Sequence, residues 1–221
     1  YSVKELKEDV DLLAAHNLWV TFEEMRIVKQ SIVERNLWEL CERRCRAYPA
    51  LLSGLKQMTK YSALIEKYDP ATKHPFFYLS ECSAHRPEVL RYSNRLDRFT
   101  LTGNVLITTN LEGEGFSEQE QFDHVFFVKP PFGPYPAGLA ESYPVGQAEI
   151  PAEVDDDAKT VALQNVLKLL EINRNVKFVF RYDSSWEDHP LIEEIRKYAE
   201  VKAALLQKSE NRVTLGADER V

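Results

Sequence analysis

The sequence predicts a mixed α/β (α+β) chain, with a helical N-terminal segment followed by two small α/β units. Three observations carry that prediction. Apolar residues recur at helical spacing from Leu6 to Ile65. At Asp69 the composition turns to short apolar runs rich in β-branched and aromatic residues. After Val154 a second helical pattern leads into one more such run. The boundaries are therefore drawn at 1–69, 70–152 and 153–221.

In order, Glu5 to Ala15 places Leu6, Val10, Leu12 and Leu13 among charges and reads as a helix. Thr21, with Glu24 three residues later, has the pattern of a capping box and suggests that a second helix starts there. Met25, Val28, Ile32, Leu37, Leu40 and Cys41 form its apolar stripe, and Arg43, Arg44 and Arg46 its last turn. Cations suit a helix C-terminus, so a solvated last turn is the simpler reading of this group and phosphate contact the other. A helix from Pro49 to Tyr68 stops at Asp69-Pro70.

In the middle unit, Phe76 to Leu79 reads as a buried strand, and Arg86-Pro87 opens a helix with Val89, Leu90, Leu96 and Phe99. Val105–Thr109 and Val125–Val128 are two further strands. From 130 to 151 the prolines at 130, 131, 134, 136, 144 and 151 exclude a helix or a central strand. Phe132, Tyr135 and Tyr143 within that stretch argue for an ordered, pinned loop, either a packing strap or a binding loop. In the last unit, Asp155-Asp156-Asp157 precedes a helix from Ala158 to Ile172, where acidic residues suit the N-terminal dipole. Lys177–Tyr182 is a strand, and Pro190 opens a helix running to Leu206. The tail from Ser209 is polar and reads as loose.

The chain has 221 residues, 44% apolar and 29% charged, a balance that excludes collagen-like, disordered and membrane-embedded classes. No apolar run is long enough for a spanning helix. The formal charge is −7, whereas a free-standing nucleic-acid binder is usually basic, so any RNA contact is local or shared. Cys41, Cys45 and Cys82 are few and odd in number, which points to a reducing, cytoplasmic setting rather than a disulfide framework. The first residue is Tyr1 and no signal peptide follows it, which suggests a processed start or a piece of a longer polypeptide.

Self-contained catalytic motifs are missing: there is no P-loop, GxGxxG, GxSxG or HExxH. Cys41 and Cys45 lie one helical turn apart, which favours packing over metal binding without a second ligand pair. Cys82 and His85 are near in sequence only, which is no evidence for a nucleophile and its base. Carboxylates crowd the stretch from Glu112 to Asp157, where Lys129 alone opposes them, and such a face repels phosphate. Arg91, Arg95 and Arg98 fall at i, i+4 and i+7, one helical stripe. That stripe reads as a solvated face paired to Glu88 and Asp97, or as a track for RNA phosphates. His16 stands between two helical stretches, where a lone histidine is usually a cap or a core residue.

His16-Asn17-Leu18 and the helix through Ile27–Ile32 to Leu37–Leu40 resemble the barrel-closing segment of the tRNA-guanine transglycosylases. Tyr68-Asp69-Pro70, Phe76-Phe77-Tyr78, Arg86-Pro87-Glu88-Val89 and the proline loop from Pro130 to Pro151 resemble the archaeal, archaeosine-forming branch. The resemblance covers essentially the whole chain and is most specific in the proline loop. It implies the end of a TIM-barrel followed by two accessory domains, in a cytoplasmic enzyme that exchanges a D-arm guanine of tRNA for preQ0. An aspartate attacks the ribose carbon, guanine leaves, and the deazaguanine takes its place. The resemblance also implies that His16 is the fourth ligand of a zinc ion whose three cysteines lie upstream of Tyr1, in a closed tetrahedral site. The implied partners are tRNA, the catalytic barrel as segment or subunit, a PUA domain in cis or trans, and a second copy of the full enzyme.

The sequence departs from that pattern in lacking the catalytic aspartates, the zinc cysteines and a PUA domain. No catalytic residue is therefore assigned, and the chain is expected to be inactive alone. Its expected part is zinc-site completion and tRNA binding, with Arg91, Arg95 and Arg98 as RNA-binding candidates. Two other readings stand beside it: a non-catalytic RNA-binding or assembly subunit of the archaeosine synthase type, and a plain protein-interaction module.

Overall fold

A computed structural model describes residues 1–70, 75–109 and 121–203. The first segment is all helix: α1 (Val3–Glu8), α2 (Val10–Glu34), α3 (Leu37–Cys45), α4 (Pro49–Met58) and α5 (Ser62–Glu66). Ser2 and Glu5 form a capping box at α1. Asp9 caps α2, its carboxylate accepting from Asp11 N at 2.9 Å and Leu12 N at 3.0 Å.

The break expected near Thr21 does not occur. No glycine or proline interrupts Val10–Glu34, and the Thr21 hydroxyl donates back to Asn17 O at 2.8 Å, one turn earlier within the same helix. The helix ends instead at Arg35, in a left-handed conformation with φ 62°. The single stripe expected from Met25 to Cys41 is thus split between α2 and α3. The helix expected from Pro49 to Tyr68 is likewise divided by a 3₁₀ turn at Thr59–Tyr61.

Beyond residue 75 the chain builds sheets. Strand β1 (Phe76–Phe77) is shorter than expected and pairs in parallel with β5 (Ala148–Glu149). Helix α6 (Pro87–Ser93) is followed by a 3₁₀ turn at Leu96–Arg98. Strands β2 (Asn104–Thr108), β3 (His124–Lys129), β4 (Gly133–Pro136), β6 (Lys177–Tyr182) and β7 (Glu200–Ala203) form one sheet in the order β4-β3-β2-β6-β7. Every pairing is parallel except β3 with β4. The proline-containing β4 is an edge strand, the place a sheet tolerates proline. The remaining helices are α7 (Asp156–Ile172) and α8 (Pro190–Ile195).

Two expectations change here. The helix from Pro190 stops at Ile195, and the chain returns as β7, because β6 offers an open parallel edge to Glu200–Ala203. Second, the boundary expected at 152/153 runs through the middle of one sheet, since β2–β4 come from one side of it and β6–β7 from the other. The tail from Ser209 and the acidic residues from Glu112 to Glu120 lie outside the described residues.

Helix α7 packs on this sheet through Ala162, Leu163, Val166, Leu169 and Leu170, against Val105, Ile107, Phe126, Phe178 and Phe180. A second cluster joins Phe76, Val89, Tyr92, Leu96, Phe132 and Val145 beneath the proline loop. The ring of Phe132 sits edge-on to Phe76 at 4.9 Å and to Tyr92 at 5.8 Å, and the Tyr92 hydroxyl donates to Pro134 O at 2.7 Å. Gly133, with φ 90°, lies so close to α7 that a Cβ there would meet Asn165 Cβ at 2.7 Å and Ala162 O at 2.9 Å. Asn165 fastens the same junction by donating to Phe132 O at 2.8 Å. These contacts make the proline loop a fixed wall. Its peptide bonds at Pro130-Pro131 and Tyr143-Pro144 are cis.

Candidate nucleic-acid interface

The arginine candidates do not form a helical stripe. Helix α6 ends at Ser93, so Arg91 lies on the helix, Arg95 in the link after it and Arg98 in the 3₁₀ turn. The chain nevertheless brings all three to one cavity of about 410 Å³. Glu88, Arg91, Tyr92, Arg95, Arg98 and Phe99 make one wall, and Leu139, Ser142, Tyr143, Pro144 and Val145 of the proline loop make the other.

The three guanidinium groups differ. Arg91 is largely buried and already spent on structure. Its Nε donates to Glu66 Oε1 at 2.8 Å, and its Nη atoms donate to the carbonyls of Glu66, Asp69 and Pro70 at 3.1, 2.9 and 3.0 Å. It therefore ties the end of α5 to α6. Arg95 and Arg98 are exposed, and among the described residues neither guanidinium has a hydrogen-bond or ion-pair partner. The pairing to Glu88 expected for a solvated face is not made, because Glu88 belongs to Arg86.

Arg86 is the largest fully buried side chain among the described residues. It donates through Nη2 to Glu39 Oε1 and Glu88 Oε1, each at 2.5 Å, and through Nη1 to Phe77 O at 3.2 Å. Its guanidinium also lies 4.3 Å from the Phe76 ring centroid. The facing charges hold its pKa up against the burial that would lower it. Next to it, fully buried Glu42 of α3 accepts from Ser83 at 2.9 Å and from Ser80. Glu39 and Glu42 are thus the polar pegs by which α3 enters the sheet-bearing part. Sequence reading missed all three, since a charged residue in a polar stretch carries no mark of burial.

Tyr143, one of the aromatics expected to pin the proline loop, lines this cavity. Its hydroxyl is buried with no hydrogen-bond partner among the described residues, and burial pushes its pKa well up. An unsatisfied hydroxyl of this kind costs about 1–3 kcal/mol.

The remaining candidates stay apart. His16 is half-buried in the interior of α2, and among the described residues no group of three metal-ligating side chains occurs. Cys82 is buried, which pushes its thiol pKa up, and the Cys41 thiol is raised by partial desolvation and by Cys45 beside it, which leaves both poor nucleophiles. Arg44 forms a bidentate pair with Glu24 at 2.7 and 2.9 Å, and Arg46 donates to Leu79 O at 2.7 Å. No helix among the described residues is long and apolar enough to cross a membrane.

No protein-family model matches the chain, and no solved structure matches it. Curated relatives do. The tRNA-guanine(15) transglycosylase of Methanosarcina acetivorans is 46% identical over 200 residues, 90% of this chain and 39% of the relative. That of Haloferax volcanii is 44% identical over 188 residues, 85% of this chain and 35% of the relative. The Archaeoglobus fulgidus enzyme is 35% identical over 187 residues, 84% and 37%. The chain thus spans about two fifths of the length of the curated relatives it matches. Identity at this level across nearly the whole chain makes it similar to a portion of the archaeal tRNA-guanine(15) transglycosylases.

Proposed function

We propose that the chain is the tRNA-engaging and assembly portion of a tRNA-guanine(15) transglycosylase, in which it supplies no chemistry of its own. The observation that carries this reading is the convergence of Arg95 and Arg98, both exposed and unpartnered, on a walled cavity in a chain of net charge −7. Two unpaired guanidinium groups on a fixed wall suit phosphate oxygens. Arg91 acts as a positioning residue, since its donors are spent on Glu66, Asp69 and Pro70.

In this reading His16 contributes one imidazole to a structural zinc ion. A half-buried histidine on a helix with no competing hydrogen bond fits a single ligand role, and three more ligands must come from outside the described residues. Bound zinc would lock α2 to the segment that brings the cysteines. The apolar face of α2 supports the same assembly. Leu18, Trp19, Phe22 and Met25 lie exposed along it and are suited to pack against the barrel portion, as segment or subunit. The exchange of guanine for preQ0 then belongs to the barrel, and a PUA domain and a second copy of the whole enzyme complete the assembly.

The test is guanine exchange into tRNA by the barrel polypeptide with and without this chain. The reading expects the chain to raise turnover at limiting tRNA and to be inactive alone. Equal turnover with and without it would refute a functional contribution.

A further inference from the structure

We propose that the cavity between Arg95, Arg98 and the proline loop is a pocket for one unstacked RNA nucleotide. Its phosphate would sit on Arg95 and Arg98, and its base against Leu139, Tyr143 and Pro144. The proposal rests on the tRNA-binding reading above and goes beyond it, because phosphate contact alone needs no cavity.

Four observations support it. The volume of about 410 Å³ lies in the range of small-ligand sites and accommodates a nucleoside monophosphate unit. The two walls have different chemistry, with unpartnered guanidinium groups on one side and half-buried apolar and aromatic surface on the other. The acidic residue in the cavity wall, Glu88, turns its carboxylate to buried Arg86 at 2.5 Å, a cation it shares with Glu39, and that side chain is only 1% exposed; Asp97 remains on the turn between the two arginines. Finally, both walls are held before any ligand arrives. Arg95 N donates to Tyr92 O at 2.9 Å, Ser142 N to Leu139 O at 3.0 Å and Gly146 N to Ser142 O at 2.7 Å. A base inside a duplex cannot enter such a pocket, whereas an unstacked one can lie on an aromatic face.

The experiment measures binding of a tRNA transcript by the full chain across a salt series. Arg95→Gln with Arg98→Gln removes the phosphate side. Leu139→Trp and Ser142→Phe each fill the base side from partly exposed positions. The arginine pair is expected to weaken binding and to lower the slope of log K against log salt by about 0.7 or more. Either filling variant is expected to weaken binding about fivefold or more while leaving that slope unchanged. If the arginine pair has its effect and folded filling variants bind as the parent does, the pocket is wrong and the phosphate contact stands. If no variant changes binding, both readings fall. Should both filling variants unfold, amide shifts of Ser142 and Val145 decide. Saturation by nucleoside 5′-monophosphates but not by ribose 5-phosphate supports the pocket, and equal response to both overturns it.

Discussion

The helical segment and the sheet-bearing part treat their apolar residues in opposite ways. From Phe76 onward, buried aromatic and aliphatic side chains form two clusters that close on themselves. In residues 1–69 the only buried apolar residues are Leu40 and Leu55, while Trp19 is 60% and Phe22 54% exposed. Burial of apolar area is the main stabilising term in folding. The sheet-bearing part therefore carries its own stability, while α1 and α2 leave most of their apolar side chains exposed. Polar contacts join the two parts: Glu39 and Glu42 of α3 are received by Arg86, Ser80 and Ser83, and Arg91 of α6 clamps Glu66 of α5.

The largest expected effect lies at that seam. Arg86→Ala leaves Glu39 buried without its cation and takes a buried partner from Glu88, and should cost about 3–5 kcal/mol. Denaturant unfolding measures it, and a loss under 1 kcal/mol would mean that the seam is not organised by this charge. Within the sheet-bearing part, Gly133→Ala meets both a positive φ and a close approach to α7, and should cost on the order of 2 kcal/mol in the same assay.

A smaller effect belongs to His189, the N-cap of α8. Its Nδ1 accepts from Leu191 N at 3.3 Å and its Nε2 lies 3.0 Å from the Thr160 hydroxyl, an arrangement that needs the neutral ring. Burial lowers its pKa below the ordinary 6.5, Asp156 opposing and Lys159 assisting. The folded state thus binds this proton less readily than the unfolded one. The stability the neutral ring contributes is full above pH 6.5 and is lost as pH falls below 6.5 through the lowered folded value. His189→Ala should cost about 1 kcal/mol at pH 7.5 and flatten that part of the pH–stability profile.

The smallest effect is expected on the exposed face of α2. Trp19→Ser and Phe22→Ser should change the stability of the chain alone by no more than about 0.5 kcal/mol. The same pair should weaken association with the barrel polypeptide in a pull-down or by calorimetry. A large loss of stability in the chain alone would show that the face is already covered.

Period and punctuation made much of the fold legible. Lys177–Tyr182 is the strand its alternation predicts, and the helix from Asp156 starts behind the Asp155 cap. Other features depend on neighbours that the sequence does not display. Thr21 has the residue pattern of a cap, yet Asp9 captures the free amides and the helix runs through. Glu200–Ala203 becomes a strand because β6 has a free edge, not because of its own propensity. At the candidate site, three arginines at helical spacing do converge. Their division into one structural clamp and two free cations follows from where Glu66 and Glu88 lie in space, and the wall supplied by Tyr143 and Pro144 follows from the tertiary course of the loop.

Amide hydrogen exchange tests the division of labour most directly, with the full chain alone, with the barrel polypeptide and with tRNA. For the chain alone, α7 and β2 should exchange slowly and α2 quickly. The barrel polypeptide should slow α2, whereas tRNA should slow the residues around Arg95, Arg98 and Ser142. Slow exchange of α2 in the chain alone, or tRNA protection confined to the helical segment, would contradict the account.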